Sequence, residues 1–104
     1  MKDQNLFELF TSDPVQFNMK QLKAKLAIAL IKLIRKNGWN QTVAAENLNV
    51  SQPRMSNLFR GRLEKFSIDS LLEMIFRSGY KLDYDFDPSD LESPLEMKLK
   101  RAML

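Results

Sequence analysis

Residues 41–61, QTVAAENLNVSQPRMSNLFRG, constrain the fold of this chain more than any other stretch. The spacing of their apolar residues predicts two short helices joined by a tight turn. Asn40 is a suitable N-cap for the first helix, and Ser51 is one for the second. Asn49 tolerates the left-handed backbone conformation that often ends a helix, and Gly61 ends the second helix. The stretch therefore predicts a compact corner between two helices.

The exposed side of the second predicted helix is polar and basic. The corner has the geometry of a DNA-binding helix-turn-helix, in which the second helix enters the major groove of the duplex. Glutamine can pair with adenine and arginine with guanine, while serine and asparagine can reach bases or phosphates. The sequence therefore predicts a DNA-contacting surface on this helix. Its predicted members are Ser51, Gln52, Arg54, Ser56, Asn57 and Arg60.

These residues also resemble a known family, the lambda-repressor-like (XRE-type) helix-turn-helix proteins. The resemblance covers about residues 5–86, and the segment SQPRMSNLFRGR is similar to the antitoxin branch of type II toxin–antitoxin systems. The resemblance implies that Gln41 binds a phosphate and braces Gln52, which reads an adenine. It also implies that Arg62 and Lys65 contact backbone phosphates.

The sequence departs from this family pattern at two positions of the corner. Asn49 stands where the family often has glycine, and Pro53 stands where a small polar residue often touches a base. Pro53 is compatible with the first turn of a helix, where its missing N–H has no helical partner in any case. The resemblance therefore implies no base contact from Pro53.

The rest of the chain predicts one small domain, since 104 residues provide room for a single core. A long helix from a cap at Asn18 to about Lys36, and a later helix from a cap at Ser67 to Gly79, complete a bundle. With the resemblance, these elements predict an all-α, five-helix lambda-repressor-like fold with one C-terminal strand. The predicted parts are an N-terminal arm or short helix at 1–17, the DNA-binding domain at 18–79, a dimerising strand at 80–87 and an acidic-to-basic tail at 88–104.

In the stretch Tyr80–Phe86, apolar residues alternate with charged ones instead of recurring at helical spacing, which predicts a strand. A lone strand leaves backbone donors and acceptors unpaired, and the simplest partner is the same strand of a second copy. We therefore expect an antiparallel ribbon across a homodimer axis, although a different protein could use the same edge. Leu95, Leu99 and Met103 have the spacing of a short amphipathic helix, and because so short a helix is marginal in water we expect it to be either docked on the domain or disordered. The predicted dimerisation residues are Tyr80, Leu82, Tyr84 and Phe86.

Charge is distributed unevenly along the chain. The net charge is +3, yet residues 14–81 carry twelve basic and four acidic side chains, whereas residues 82–97 carry six acidic and no basic ones. A basic body suits the phosphates of double-stranded DNA, and an acidic segment suits either a different partner or only a soluble tail. The resemblance implies that this partner is a basic, RelE-like RNase toxin, which the chain would neutralise while repressing their shared promoter.

Composition argues against catalysis. The chain contains no cysteine and no histidine, which removes thiol chemistry, the commonest general base and the commonest transition-metal ligand. We expect no enzymatic activity, cofactor, metal or small-molecule substrate. The sequence lacks a signal segment and a membrane span, so we expect a cytoplasmic protein. The predicted function is a repressor that binds a palindromic operator. The alternatives are a phage-type regulator without a toxin and a protein–protein interaction module.

Overall fold

The structure, a computed structural model, describes residues 13–102. In this range the chain forms four α-helices, one turn of 3₁₀-helix and a two-stranded antiparallel sheet. In chain order the elements are α1 (Pro14–Lys36), α2 (Gln41–Leu48), α3 (Gln52–Phe59), the 3₁₀ turn (Leu63–Lys65), α4 (Ile68–Arg77), β1 (Tyr80–Phe86) and β2 (Leu95–Arg101). None of the helices in residues 13–102 is long and apolar enough to cross a membrane.

Helix α1 begins earlier than the predicted cap at Asn18. The side chain of Asp13 accepts a hydrogen bond from the backbone N–H of Val15 at 2.9 Å, and Pro14 occupies the first helical position. Asn18 instead donates its side-chain amide to the carbonyl of Pro14, one turn back. Residues 14–17, predicted to belong to a separate arm or short helix, are thus part of α1, and residues 1–12 of that prediction lie outside the described residues.

The prediction of an all-α, five-helix fold is wrong. Four α-helices are present in residues 13–102, and a sheet accompanies them. The helical core that the sequence predicted is nevertheless present. It is made by the C-terminal half of α1, the two helices of the corner, Phe66 and α4. Its buried apolar residues are Ala27, Leu30, Ile34, Ala44, Ala45, Leu48, Met55, Leu58, Phe66, Leu71, Met74 and Ile75.

The predicted pairing of Tyr80–Phe86 across a dimer is also wrong, because β1 pairs within its own chain. Its partner is β2, with Leu82 opposite Leu99. Residues 95–99, LEMKL, fit a strand as well as a helix. Leu95, Met97 and Leu99 alternate as in a strand, while Leu95 and Leu99 are also separated by about one helical turn. Pairing with β1 satisfies the backbone groups that the two strands turn toward each other, whereas a helix this short is marginal in water. The segment predicted as a short helix is therefore a strand as far as Arg101.

Polar contacts fasten both ends of this β-hairpin. At its base, the N–H of Ala102 donates to the carbonyl of Gly79 at 2.8 Å, and at its far end the N–H of Asp87 donates to the carbonyl of Pro94. An ion pair of 3.0 Å joins Asp83 and Lys100 across the strands. The hydrogen bond from Lys100 holds the pKa of Asp83 below its ordinary value. The hairpin is therefore a formed part of the fold rather than an unpaired tail.

Candidate nucleic-acid interface

Side-chain caps define the corner between α2 and α3. The side chain of Asn40 accepts a hydrogen bond from the N–H of Val43 at 2.8 Å, and the hydroxyl of Ser51 accepts one from the N–H of Arg54 at 3.2 Å. Asn49 ends α2 with φ 58° and ψ 48°, in the left-handed region that asparagine tolerates. The caps and the turn predicted from the sequence are confirmed.

Small and apolar side chains bring the two helices of the corner together. Ala44 and Ala45 are buried in α2, and Met55 and Leu58 are buried in α3. Alanine at a crossing lets two helix backbones approach closely, because its side chain occupies little space. Val50 lies between the helices and packs against the core. The packing fixes the angle at which α3 leaves the body of the protein.

The outer face of α3 carries polar residues at helical spacing. Gln52, Ser56 and Arg60 are separated by four residues each and therefore lie along one side of the helix. Gln52 is exposed at the first position of α3, Ser56 is half-buried, and Arg60 is exposed directly after the last helical residue. Pro53 is exposed in the same first turn. The N-terminal turn of α3 is thus open to solvent.

A sharp reversal after α3 places further basic residues beside this face. Gly61 adopts φ 74°, and the N–H of Arg62 donates to the carbonyl of Asn57 at 3.0 Å, which ends the helix. Leu63 packs against the core, while Arg62 and Lys65 stay exposed. Arg60, Arg62 and Lys65 form what we call the basic patch. Neither of the two ion pairs found in residues 13–102 involves it.

Arg54 lies differently from the other predicted DNA-contacting residues. Its guanidinium donates a hydrogen bond to the backbone carbonyl of Lys65 at 3.1 Å and lies 4.4 Å from the centre of the Phe66 ring. Such a position combines a charge-assisted hydrogen bond with a cation–π contact. Arg54 is half-buried by these contacts. It therefore connects α3 to the turn that carries the basic patch.

Sequence reasoning missed this role of Arg54, because its partners Lys65 and Phe66 are eleven and twelve residues away along the chain. The remaining predicted residues belong to the corner between α2 and α3. Ser51 caps α3, Asn57 is half-buried and supplies a carbonyl to Arg62, and Gln41 is the first, exposed residue of α2. The phosphate contact and the brace to Gln52 that the resemblance implies for Gln41 remain predictions.

We expect replacement of Arg54 by alanine to lower the free energy of unfolding by about 1–2 kcal/mol, the combined size of one hydrogen bond and one cation–π contact. Because the turn would lose its attachment to α3, binding to specific and random DNA should weaken together. Chemical denaturation and fluorescence anisotropy measure the two effects. Exposed Arg60→Ala is the matched control for stability. A loss confined to one DNA sequence, at unchanged stability, would show that Arg54 reads a base.

Comparison with known families supports the reading of the corner. The profile of a family described as "Helix-turn-helix domain" matches residues 11–85, which include all of α1 to α4 and most of β1. A search of curated proteins found no match to the chain. The family match covers well over half of the sequence and contains the corner, its caps and the basic patch. The chain therefore belongs to this helix-turn-helix domain family, and a domain of this kind indicates a DNA-binding regulator.

Proposed function

We propose that this protein is a sequence-specific transcriptional repressor of the XRE type that binds double-stranded DNA in the cytoplasm. One observation carries the proposal. The exposed first turn of α3 and the basic patch lie on consecutive segments, and Arg54 joins them through the Lys65 carbonyl. Base-reading and phosphate-binding groups are thereby held together, which is the arrangement that specific DNA binding requires.

In the proposed complex, the N-terminal turn of α3 enters the major groove. Gln52 is positioned to pair with adenine through its side-chain amide, which can accept from N6 and donate to N7. Ser56 lies one turn further along the same side. The basic patch contacts phosphates of the flanking backbone, and Gln41 contacts a phosphate from the start of α2. The phosphate contacts position the helix, and Gln52 supplies part of the sequence preference.

We propose that the repressor acts as a homodimer on a palindromic operator. One helix-turn-helix reads only a few base pairs, whereas a two-fold pair reads two half-sites about one helical turn apart, roughly 34 Å. Because binding energies of the two halves add, the dimer gains both affinity and specificity. The proposal does not involve pairing of β1 with its copy, since that pairing was predicted for a lone strand and β1 is paired with β2 in the same chain.

A toxin partner is the second part of the proposal. The similarity of SQPRMSNLFRGR to the antitoxin branch favours it, as does the acidic character of residues 82–97. Asp90 and Glu92 are exposed in the loop between the two strands, where a basic RNase of the RelE-like class could bind. A neighbouring reading frame for a small basic protein, and its co-purification with this chain, would distinguish an antitoxin from a regulator without a toxin or an interaction module.

The DNA-binding proposal is tested by selecting duplexes from a random library with the full chain and measuring affinities by anisotropy. We expect Gln52→Ala to weaken binding to the selected site by about 1–3 kcal/mol while leaving binding to random duplex nearly unchanged. Removal of a base-reading group affects only the matched sequence, because the phosphate contacts are intact.

The matched control is Gln21→Ala, which removes an exposed side chain of the same type from α1, far along the sequence from the corner. It should leave both affinities unchanged. Failure of the wild-type chain to enrich any sequence would refute specific recognition. Equal losses on selected and random duplex for Gln52→Ala would instead remove Gln52 from the base-reading role while keeping the DNA-binding function.

A further inference from the structure

The β-hairpin has two chemically different faces. Residues opposite each other in an antiparallel pair project to the same side of the sheet, and successive residues alternate between sides. Leu82 is opposite Leu99, Tyr84 is opposite Met97, and Phe86 is opposite Leu95. We call these six residues the apolar face. The other face carries Lys81, Asp83, Asp85, Glu96, Lys98 and Lys100.

Much of the apolar face is open to solvent. The exposed fraction is 68% for Tyr84, 64% for Phe86, 58% for Met97 and 47% for Leu95. Since an aromatic side chain can bury roughly 150–250 Å², the apolar face exposes on the order of 500 Å² of contiguous surface. A patch of this size is at the upper end of what a monomer shows and commonly marks an interaction site.

The charge pattern limits what can cover this face. Among the paired residues, the apolar side carries one charge, Arg101, which lies at the hairpin base next to the helical bundle. The charges of the hairpin are otherwise on the opposite face, where Asp83 and Lys100 already pair. A nucleic acid or a strongly charged protein would therefore find no partner group among the six residues. The matching surface is another uncharged apolar one.

We propose that the apolar face is the interface between two copies of this chain, packed face to face about a two-fold axis. A flat apolar face is complementary to itself, as an isologous contact requires. Two such faces would bury on the order of 1,000 Å² in total, which is about the smallest area expected of a biological interface. The choice of a second copy also rests on the proposed function, because a two-fold operator needs two corners.

In face-to-face packing, two sheets lie about 10 Å apart and meet through their side chains. This arrangement therefore leaves the backbone groups at the outer edges of both hairpins free. It also leaves the acidic loop between the strands available to another partner. The interface differs from an edge-paired ribbon in the residues that it uses. Side chains of the apolar face hold the copies together, whereas a ribbon would use backbone hydrogen bonds of β1.

The first test is sedimentation of the full chain without DNA. We expect wild-type dimers, and we expect Tyr84→Ser/Met97→Ser to raise the dimer dissociation constant about a hundredfold, since truncating central apolar residues removes most interface energy. The matched control is Asp85→Ser/Glu96→Ser, a cross-strand pair on the charged face of the same hairpin. It should change the constant less than about threefold. Circular dichroism verifies that each variant is folded.

The second test identifies the occupant without relying on disruptive changes. Because the chain has no cysteine, each variant has a single thiol. Met97→Cys places it on the apolar face, and Lys98→Cys places it on the charged face. Maleimide labelling of Met97→Cys should slow about tenfold or more as the chain concentration rises through the dimer midpoint, while Lys98→Cys labels at a constant rate. Slow labelling at every concentration would assign the face to another segment of the same chain and overturn the proposal.

Fast labelling at every concentration would also overturn the proposal, and protection upon adding a toxin would then assign the face to that protein.

Failure of the interface and failure of the proposed function remain distinguishable, because these measurements contain no DNA. Dimers that bind no DNA would refute the repressor and keep the interface. A monomer that binds its selected DNA with full affinity would refute the interface and keep the DNA-binding function.

Discussion

Replacing Leu30 with alanine will lower the free energy of unfolding by about 2–5 kcal/mol, because the side chain is fully buried where α1 meets the rest of the core. The change removes apolar contacts and leaves a cavity that a close-packed core cannot fill completely. For a chain of this size, the midpoint of thermal unfolding should fall by roughly 10 °C or more. Chemical denaturation followed by circular dichroism gives the free energy directly.

Ile28 provides the matched control, because it is a β-branched residue of similar size in the same helix and is 53% exposed. Ile28→Ala should change stability by about 0.5 kcal/mol, since little packing is lost and alanine favours helix. Equal losses of stability for Leu30→Ala and Ile28→Ala would mean that the side of α1 that carries Leu30 is not the buried one.

Removing the whole basic patch should have the largest effect on DNA binding. In the triple variant Arg60→Ala/Arg62→Ala/Lys65→Ala, we expect the slope of log affinity against log salt to become shallower by about 3, roughly one for each phosphate contact. Affinity should fall alike on selected and random duplex, because phosphates carry no sequence information. Anisotropy titrations at several salt concentrations measure both quantities.

The matched control removes the same charge from a different surface. Lys20, Lys25 and Lys32 are exposed along α1, outside the corner. Their replacement by alanine lowers the net charge of the chain equally, so it measures the contribution of overall charge alone. We expect its salt slope to stay within about 1 of the wild type. If both triple variants lose the same slope, the chain attracts DNA through its total charge and the basic patch has no special role.

Most of the corner could be predicted because its determinants are local. Asn40 and Ser51 each accept a hydrogen bond from an N–H three residues away. Asn49 and Gly61 adopt positive φ, which asparagine tolerates and which glycine permits because it has no Cβ. Helix caps and turns of this kind depend on neighbouring residues, so a single sequence displays them. Met55, Leu58 and Phe59 recur at helical spacing in α3, which predicts that they are buried; Met55 and Leu58 are fully buried and Phe59 is half-buried.

Long-range contacts could not be predicted with the same success. The apolar stripe of α1 extends from Met19 to Ile34, yet Met19 and Leu22 are nearly half exposed and full burial begins at Ala27. Periodicity identifies the side of a helix that is apolar, but it does not say how far along that side a neighbour extends. The start of α1 was also misplaced, since Asp13 and Asn18 are both good caps and Pro14 decides between them.

The sequence by itself determined the helix-turn-helix corner, the caps of α3 and α4 and the strand character of Tyr80–Phe86, because each depends on the chemistry of adjacent residues. Only the tertiary structure decided which segment pairs with that strand and what Arg54 does. Leu95–Arg101 alternates well enough for a strand and is spaced well enough for a helix, so backbone pairing with β1 settles its conformation. Arg54 is held by Lys65 and Phe66 because folding brings the turn back onto α3.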